Sequence, residues 1–123
     1  TGAGKTYTMI GSASEPGLCP RVVDCLFELA AREEKRRADE SVSFQLLASF
    51  MQIYNESLSD LLVDALPHDF LREQGDAKDA LRLREDPSGV WVDNLTSVRL
   101  KHPEDARQAL AKGLAQRQRG ATT

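Results

Sequence analysis

The first six residues constrain the fold more than any other part of this sequence. Thr1 to Thr6 read T-G-A-G-K-T, which are the last six positions of the eight-residue pattern G-x-x-x-x-G-K-[ST]. In that pattern consecutive backbone N–H groups at the start of a helix form a concavity that binds phosphate oxygens. The sequence therefore predicts a nucleotide-phosphate loop that runs directly into a helix.

The residue types in this loop have defined chemical roles. Gly2 and Gly4 let the backbone turn and approach phosphate oxygens closely. Lys5 would place its charge on the β- and γ-phosphates, and the Thr6 hydroxyl would bind Mg²⁺. The pattern's first glycine would precede Thr1, and average residue usage makes the rest a roughly sub-percent chance event in such a chain. The predicted nucleotide-binding residues are Thr1, Gly2, Ala3, Gly4, Lys5 and Thr6, with Thr6 as the metal ligand.

Composition and charge limit the classes of partner. The chain is 41% apolar and 28% charged, as in ordinary globular proteins. Its net charge of -3 argues against a general nucleic-acid binder, so we expect no DNA or RNA partner. No apolar run approaches membrane-spanning length, so we expect no membrane insertion. Cys19 and Cys25 match no zinc pattern, and we interpret them as reduced thiols packed in a helix of a cytosolic protein.

Both ends of the chain look cut. There is no initiating Met, the first residue lies inside the phosphate-loop pattern, and the chain stops just past a predicted helix. A length of 123 residues suits one small domain with a single core. We therefore expect residues 1–123 to be part of a single domain that is truncated at both ends.

Apolar periodicity in the first half predicts a loop, a helix and a strand. Residues 1–10 read as a Gly-rich turn that runs into a helix start, and residues 11–17 are a breaker cluster typical of a loop. Helical spacing predicts a helix from about Leu18 to Arg37. From about Ser41 to Tyr54 apolar residues occupy both faces, which predicts one strand in the centre of an α/β sheet.

The second half predicts a polar loop, a small β-region and a helix. Residues 63–80 lack periodicity and predict an exposed loop or insertion with a solvated His68. Strands are predicted at 81–85, 90–92 and 95–100, as a hairpin or meander, and a helix at 103–119. The segment 86–89 matches the D-x-x-G of a γ-phosphate-sensing switch, but the half-charged strand before it favours a simple turn.

The residues around the phosphate loop carry a family resemblance. Thr1 to Met9, T-G-A-G-K-T-Y-T-M, resemble the signature G-Q-T-G-[AS]-G-K-T-[YHF]-T-M of kinesin motor domains, and the Y-T-M continuation separates them from the myosin loop. Later segments resemble family motifs in the same order. They are G-L-C-P-R at 17–21, Q-I-Y-N-E at 52–56, D-L-L at 60–62, G-V-W-V at 89–92 and N-L-T at 94–96. The resemblance covers essentially the whole chain.

This resemblance implies a fold and a function. The fold would be α/β, of the P-loop NTPase kind, with the mixed sheet flanked by helices of a kinesin motor, present as an incomplete fragment. The chain would be the ATP-binding part of a microtubule-dependent motor ATPase, with ATP and Mg²⁺ as cofactors. Its partners would be ATP, ADP and the tubulin of microtubules, and its location the cytoplasm and microtubule cytoskeleton. Tyr7 would lie near the adenine and join the nucleotide-binding residues.

The chain departs from the family pattern at several points. It has Gln116-Arg117 where the family usually has Asn-Arg, and residues 63–80 are longer than the usual connection. The turn near Asp86, which contacts tubulin in many relatives and is often basic, is acidic and neutral here. The family's switches, N-x-x-S-S-R-S-H and D-L-A-G-S-E, do not occur within these 123 residues. We therefore assign no catalytic residue and expect the chain alone neither to hydrolyse ATP nor to bind microtubules productively.

Two other interpretations stay open. The first is another P-loop enzyme, such as a small-molecule kinase or a myosin-type motor; the Y-T-M continuation and the order of the later segments count against it. The second is a non-motile, microtubule-associated kinesin relative that binds nucleotide weakly or not at all. The intact Lys5 and Thr6 count against that reading, whereas degenerate switches would favour it.

Overall fold

The computed structural model describes residues 4–63, 72–74 and 81–122. The described residues within 1–45 and 102–107 form one compact unit, and those within 46–101 and 108–123 form a second. The helices are α1 (Lys5–Met9), α2 (Leu18–Arg36) and α3 (Pro103–Thr122), with a single 3-10 turn at Ala38–Glu40. The strands are β1 (Leu46–Ala48), β2 (Met51–Tyr54), β3 (Ser57–Asp60), β4 (Arg72–Gln74), β5 (Arg82–Asp86), β6 (Gly89–Asp93) and β7 (Ser97–Leu100).

The first unit consists mainly of α1, a tight loop and α2. The predicted loop at 11–17 is confirmed, and it is closed by a β-bridge between Gly11 and Pro16 and by a 2.8 Å hydrogen bond from Gly17 N–H to the Ile10 carbonyl. Gly11 has φ +72°, and a Cβ there would lie 2.2 Å from the Glu15 carbonyl oxygen. Only glycine fits this position, because both the backbone angle and the space exclude a side chain.

Helix α2 confirms the predicted helix and ends one residue before the expected boundary. Pro20 lies in its first turn, where the missing N–H removes no hydrogen bond. Lys35 and Arg36 lie in the last turn, where positive charge favours the helix dipole. The prediction that both cysteines are packed is wrong for Cys25, which is exposed on α2, whereas Cys19 is partly buried. Helical spacing alone does not tell which face of a helix another element covers.

The second unit contains a three-stranded antiparallel sheet with the order β1-β7-β4. Its core is made of apolar side chains from the two residues that follow β3, from β7 and from α3. They are Leu61, Leu62, Val98, Leu100 and Ala109. The Asp60 carboxylate accepts hydrogen bonds from Leu62 N–H at 3.0 Å and from Thr96 N–H at 2.6 Å. One side chain therefore ties the end of β3 to the segment that leads into β7.

The prediction of one covered strand from Ser41 to Tyr54 is wrong. The segment splits into β1, which pairs with β7, and β2, which pairs with β3. The change of partner occurs at Phe50, whose carbonyl accepts a 2.8 Å hydrogen bond from Leu61 N–H. Leu47 and Ile53 remain 50% and 69% exposed. A period-two pattern continues through such a change, because it records alternation and not the partner strand.

Strand β2 ends at Tyr54, where the sequence predicted the end of a strand, and a hairpin leads from it into β3. Its two-residue turn is formed by Asn55 and Glu56, with φ +51° and +65°. Positive φ at both central residues is the geometry that matches the twist of a two-residue hairpin. The asparagine suits this turn better than the glutamate does. The chain therefore reverses direction here and brings Asp60 back beside Met51.

The predicted β-region near Asp86 is confirmed as the β5–β6 hairpin. Asp86 Oδ1 accepts a 2.8 Å hydrogen bond from Ser88 N–H, which stabilises the turn that the sequence favoured over a switch. Strand β7 begins two residues later than predicted and pairs with β1 and β4, so the region is a hairpin and not a meander.

Within the predicted loop at 63–80, Arg72–Gln74 form strand β4, which pairs with β7, so the loop prediction is wrong for these three residues. A strand of three polar residues is too short to show an alternating pattern in the sequence. Only its pairing with β7 defines it as a strand. His68 and the rest of 64–71 and 75–80 lie outside the described residues.

Helix α3 confirms the predicted last helix and continues three residues beyond Arg119. The Asp105 carboxylate accepts a 3.0 Å hydrogen bond from His102 N–H and so satisfies a backbone donor at the helix start. Gly113 is buried against the Phe50 ring. Every strand pair among the described residues is antiparallel. None of the described helices is both long and apolar enough to cross a membrane.

Candidate nucleotide-binding site

The start of α1 has the backbone geometry that the phosphate-loop pattern predicts. Gly4 precedes the helix with φ +76° and ψ +15°, in the left-handed region that favours glycine. Its carbonyl accepts the first helical hydrogen bond, from Thr8 N–H at 3.0 Å. A Cβ at Gly4 would meet nothing within 4 Å, so the space beside this turn is open. Of the predicted loop residues, Thr1, Gly2 and Ala3 lie outside the described part of the chain.

Lys5 and Thr6 form the first turn of α1, and both are exposed. Within the described residues Lys5 has no ion pair, and no acidic residue lies in the first turn of α1. An ammonium group that no carboxylate of the described residues neutralises remains available to bind an anion such as phosphate. The described part of the chain has no group of three or more His, Cys, Asp or Glu side chains placed to hold a metal. The predicted metal ligand, Thr6, offers a hydroxyl and is none of these residue types.

Tyr7 is connected to the loop after α1. Its hydroxyl donates a hydrogen bond to a carboxylate oxygen of Glu15, eight residues later. This hydrogen bond, with a smaller contribution from burial, raises the pKa of the Tyr7 hydroxyl above its ordinary value. The ring stays 61% exposed. The hydrogen bond therefore orients a side chain that the surrounding residues do not otherwise enclose.

A cavity of about 550 Å³, open to solvent, lies beside Tyr7. It is lined by Tyr7 and Thr8 of α1, residues 14–17 of the loop, and Leu18 and Arg21 of α2. Arg21 Nε donates a 3.0 Å hydrogen bond to the Pro16 carbonyl and so attaches the loop to α2. A second open cavity of about 570 Å³ in the same unit is lined by α2 and the start of α3, including Asp24 and Arg107.

Sequence reasoning missed Glu15 as a neighbour of the predicted site. Nothing in the segment G-S-A-S-E-P-G distinguishes this glutamate from a solvated loop residue. Its position follows from the closed loop, in which Ser12 N–H donates to the Glu15 carbonyl at 2.9 Å and Glu15 N–H donates to Ser12 Oγ at 3.1 Å. A serine three residues before the glutamate is the only local signal, because serine hydroxyls often bond nearby backbone groups in turns.

Comparison with known families gives a match over the whole chain. Residues 1–123 match the family model described as the kinesin motor domain. The chain is 39% identical to kinesin-like protein KIN-12B of Arabidopsis thaliana over 133 aligned residues, which cover 100% of this chain and 9% of the relative. It is 37% identical to kinesin-like protein KIN-12B of Oryza sativa subsp. japonica, covering 100% of this chain and 11% of that relative.

Solved structures give the same family. The chain superimposes on a KIF14 dimer with AMP-PNP in complex with a microtubule, with a TM-score of 0.73 and 38% identity over 95% of this chain and 30% of that one. A KIF14 structure with ADP and a microtubule gives a TM-score of 0.70 and 38% identity over 94% of this chain and 30% of that one. This chain thus spans less than a third of either solved chain, and about a tenth of the plant relatives. The fold expected from the sequence is confirmed, and the chain belongs to the kinesin motor domain family.

Proposed function

We propose that this chain is the ATP-binding part of a motor ATPase that couples ATP hydrolysis to movement along microtubules. The observation that carries the proposal is the coincidence of a whole-chain kinesin match with the sequence T-G-A-G-K-T at the start of α1. The related KIF14 structures contain AMP-PNP or ADP and a microtubule. This support favours a kinesin function over that of another P-loop enzyme, because phosphate loops alone occur in many enzyme classes.

The proposed site residues are Thr1, Gly2, Ala3, Gly4, Lys5, Thr6 and Tyr7. The left-handed turn at Gly4 leaves the following N–H groups free to bind phosphate oxygens. The exposed ammonium group of Lys5 would neutralise the β- and γ-phosphates, and the hydroxyl of Thr6 would bind Mg²⁺. Bound Mg²⁺ would offset phosphate charge during hydrolysis. The exposed Tyr7 ring offers a face on which adenine can stack.

Tubulin in microtubules is the proposed protein partner, and the microtubule cytoskeleton of the cytoplasm the proposed location. Kinesin relatives provide the support for both. The β5–β6 turn, where many relatives contact tubulin, carries Asp86 and no basic residue between 85 and 93. This turn therefore lacks the positive charge that many relatives have there, so we propose that other parts of the motor provide most of the affinity.

The first test is ATP hydrolysis by the protein at its full natural length. Lys5→Ala should lower microtubule-stimulated kcat/KM for ATP by at least about 100-fold, because a preorganised charge at the transferring phosphate is lost. Lys35→Ala is the matched control, since Lys35 is an exposed lysine in the last turn of α2, and it should leave hydrolysis unchanged. Equal rates for the two variants would contradict the proposed site. Nucleotide binding without microtubule-stimulated hydrolysis would favour the non-motile alternative.

The same assay compares ATP hydrolysis by the 123-residue chain with hydrolysis by the full-length protein. We propose that the 123 residues alone do not hydrolyse ATP, because neither switch motif that positions the attacking water occurs in their sequence. The purified 123-residue chain should release phosphate at the rate of buffer, with or without microtubules. Steady microtubule-stimulated release would show that the chain contains a catalytic residue that the family motifs do not identify.

A further inference from the structure

The loop that follows α1 holds one carboxylate in a fixed place. The bridge between Gly11 and Pro16 closes the loop, and hydrogen bonds in both directions join Ser12 and Glu15. Gly17 lies against the end of α1, where a Cβ would be 2.6 Å from the Ile10 nitrogen. The backbone of Glu15 is therefore set by contacts on both sides, although its side chain is exposed.

That carboxylate accepts the hydrogen bond of the Tyr7 hydroxyl. Tyr7 directly follows Lys5 and Thr6 in α1, and of the residues that line the adjoining cavity it is the only aromatic one. A flat aromatic ring beside a phosphate site is suited to stacking a nucleotide base. The hydrogen bond restricts the two side-chain torsions of an otherwise exposed ring, and its direct effect is on the Tyr7 hydroxyl, whose pKa is raised.

We propose that Glu15 is a positioning residue for the nucleotide base, because it holds the Tyr7 ring in one orientation before the nucleotide binds. The inference rests on the proposed function, in which Lys5 and Thr6 bind the phosphates and Tyr7 lies beside the adenine. A ring that is already ordered loses less conformational freedom when a ligand stacks on it. Glu15 therefore strengthens binding of the base and has no direct effect on binding of the phosphates.

The effect on ATP affinity follows from the exposure of the pair. Exposed charged hydrogen bonds have small measured contributions, so the loss of this one should weaken ATP binding by about three- to fivefold. Inorganic tripolyphosphate carries the phosphate chain without the base. Its affinity should not change, because Glu15 acts on Tyr7, which is proposed to contact the base and not the phosphates.

The experiment compares Mg·ATP and Mg·tripolyphosphate binding to the protein at its full natural length, by competition with a fluorescent ADP analogue. Glu15→Ala should raise the Kd for ATP about three- to fivefold and leave the Kd for tripolyphosphate unchanged. Glu15→Gln should recover most of the ATP affinity, because its amide oxygen can still accept the hydroxyl hydrogen bond. Glu28→Ala removes an exposed glutamate of α2 as the control and should change neither constant.

A double substitution shows whether Glu15 acts through Tyr7. Tyr7→Phe keeps the ring and removes the hydroxyl, so it should weaken ATP binding as much as Glu15→Ala does. The double variant Tyr7→Phe with Glu15→Ala should be no weaker than either single variant, since coupled residues are not additive. Additive losses would overturn the inference. So would equal weakening of ATP and tripolyphosphate, or an ATP affinity that Glu15→Ala does not change.

Failure of the proposed function has a different signature. Lys5→Ala should weaken both ligands together, because both carry the phosphates that the ammonium group neutralises. If Lys5→Ala changes neither ligand, the phosphate site is wrong and the inference fails with it. If Lys5→Ala weakens both and Glu15→Ala weakens neither, the phosphate site stands and the role of Glu15 alone is overturned.

Discussion

The two compact units differ in how far their apolar side chains are shielded from water. Among the described residues, every buried apolar side chain of the core belongs to the second unit: Leu61, Leu62, Val98, Leu100 and Ala109. In the first unit α2 carries an apolar stripe whose members stay 45–54% exposed. They are Leu18, Val22, Leu26 and Leu29. The second unit therefore gains much more stability from apolar burial than the first.

The first unit is held by a different kind of contact. Its loop and helix starts are fixed by backbone hydrogen bonds, such as that from Gly17 N–H to the Ile10 carbonyl. Glycines also fix them, at positions where the backbone angle or the available space does not allow a side chain. An exposed ion pair between Asp24 and Arg107, with N–O distances of 3.0 and 3.1 Å, adds little free energy in water. A loop that binds phosphate through exposed N–H groups, as proposed here, cannot cover those groups with apolar side chains. In the first unit, backbone hydrogen bonds therefore fix the loop in place of apolar packing.

Replacing one leucine in each unit by alanine should give the largest difference in the loss of unfolding free energy between the two units. Leu62→Ala should lower the free energy of unfolding by about 3 kcal/mol, because it opens a cavity beside a fully buried side chain. Leu26→Ala removes the same atoms from a residue that is 45% exposed, and should cost about 1 kcal/mol or less. Urea denaturation of the 123-residue chain, followed by circular dichroism, measures both.

The cost of Leu26→Ala shows whether the α2 stripe is exposed in solution. If Leu26→Ala costs as much as Leu62→Ala, the α2 stripe is covered in solution, and the two units are stabilised in the same way. If both substitutions cost less than about 1 kcal/mol, the second unit lacks the close packing that a buried leucine requires.

Two glycines, one in each unit, should lose stability for different reasons and by smaller amounts. Gly113 in the second unit faces the Phe50 ring, where a Cβ would lie 2.5 Å from Cδ2. Gly4 in the first unit has open space but φ +76°. Gly113→Ala should lose about 1–3 kcal/mol by overpacking, partly offset by about 1 kcal/mol of helix propensity. Gly4→Ala should lose about 1 kcal/mol through backbone strain.

Replacing the Phe50 ring distinguishes steric crowding at Gly113 from backbone strain at Gly4. Added to Gly113→Ala, Phe50→Leu should restore part of the lost stability, because it removes the atoms that the new Cβ would contact. Added to Gly4→Ala, the same change should restore nothing. Denaturation midpoints of the four variants and the parent chain test this. Rescue of both glycine substitutions by Phe50→Leu would mean that the cost at Gly4 does not arise from its backbone angle.

Prediction from the sequence succeeded where a local pattern decides the structure. Helices α2 and α3 follow apolar spacing, and the turn at Asp86 follows turn chemistry. It failed at Phe50 and at β4, where the identity of the partner strand decides. Pairing partners depend on contacts between distant residues, which a periodic pattern does not contain. For the same reason, the sequence could not predict that Cys25 and the α2 stripe are exposed.

In the candidate site, too, local features could be predicted from the sequence and a feature that depends on loop closure could not. The backbone form at Gly4 and α1 could be predicted because it depends on local geometry. The nucleotide-binding roles of Thr1, Gly2, Ala3, Gly4, Lys5, Thr6 and Tyr7 and the metal role of Thr6 stay predictions, and Thr1, Gly2 and Ala3 lie outside the described residues. Glu15 could not be predicted, because its position depends on how the loop closes against α1.

The β5–β6 hairpin belongs to the second unit but has no buried residue, so it should respond to charge and not to core packing. Hydrogen bonds from Arg84 and then from Trp91 lower the pKa of Asp93 below its ordinary value. The carboxylate's contribution to hairpin stability is therefore complete above the ordinary aspartate pKa of about 3.9 and is lost as the pH falls through the lower folded value. The expected effect is the smallest of the three, because these side chains are exposed.

Trp91 is the only tryptophan of the 123 residues, and its Nε1–H donates to Asp93 Oδ1 at 2.9 Å. Its fluorescence should thus report protonation of Asp93, with a midpoint below the ordinary aspartate value. Asp93→Asn should remove this titration, whereas Asp86→Asn, in the same hairpin but bonded to Ser88, should keep it. If the titration persists in Asp93→Asn, the Trp91 signal reports unfolding of the core, and the hairpin is stabilised like the rest of the second unit. If it disappears, the second unit itself contains a region held, like the first, by exposed polar contacts.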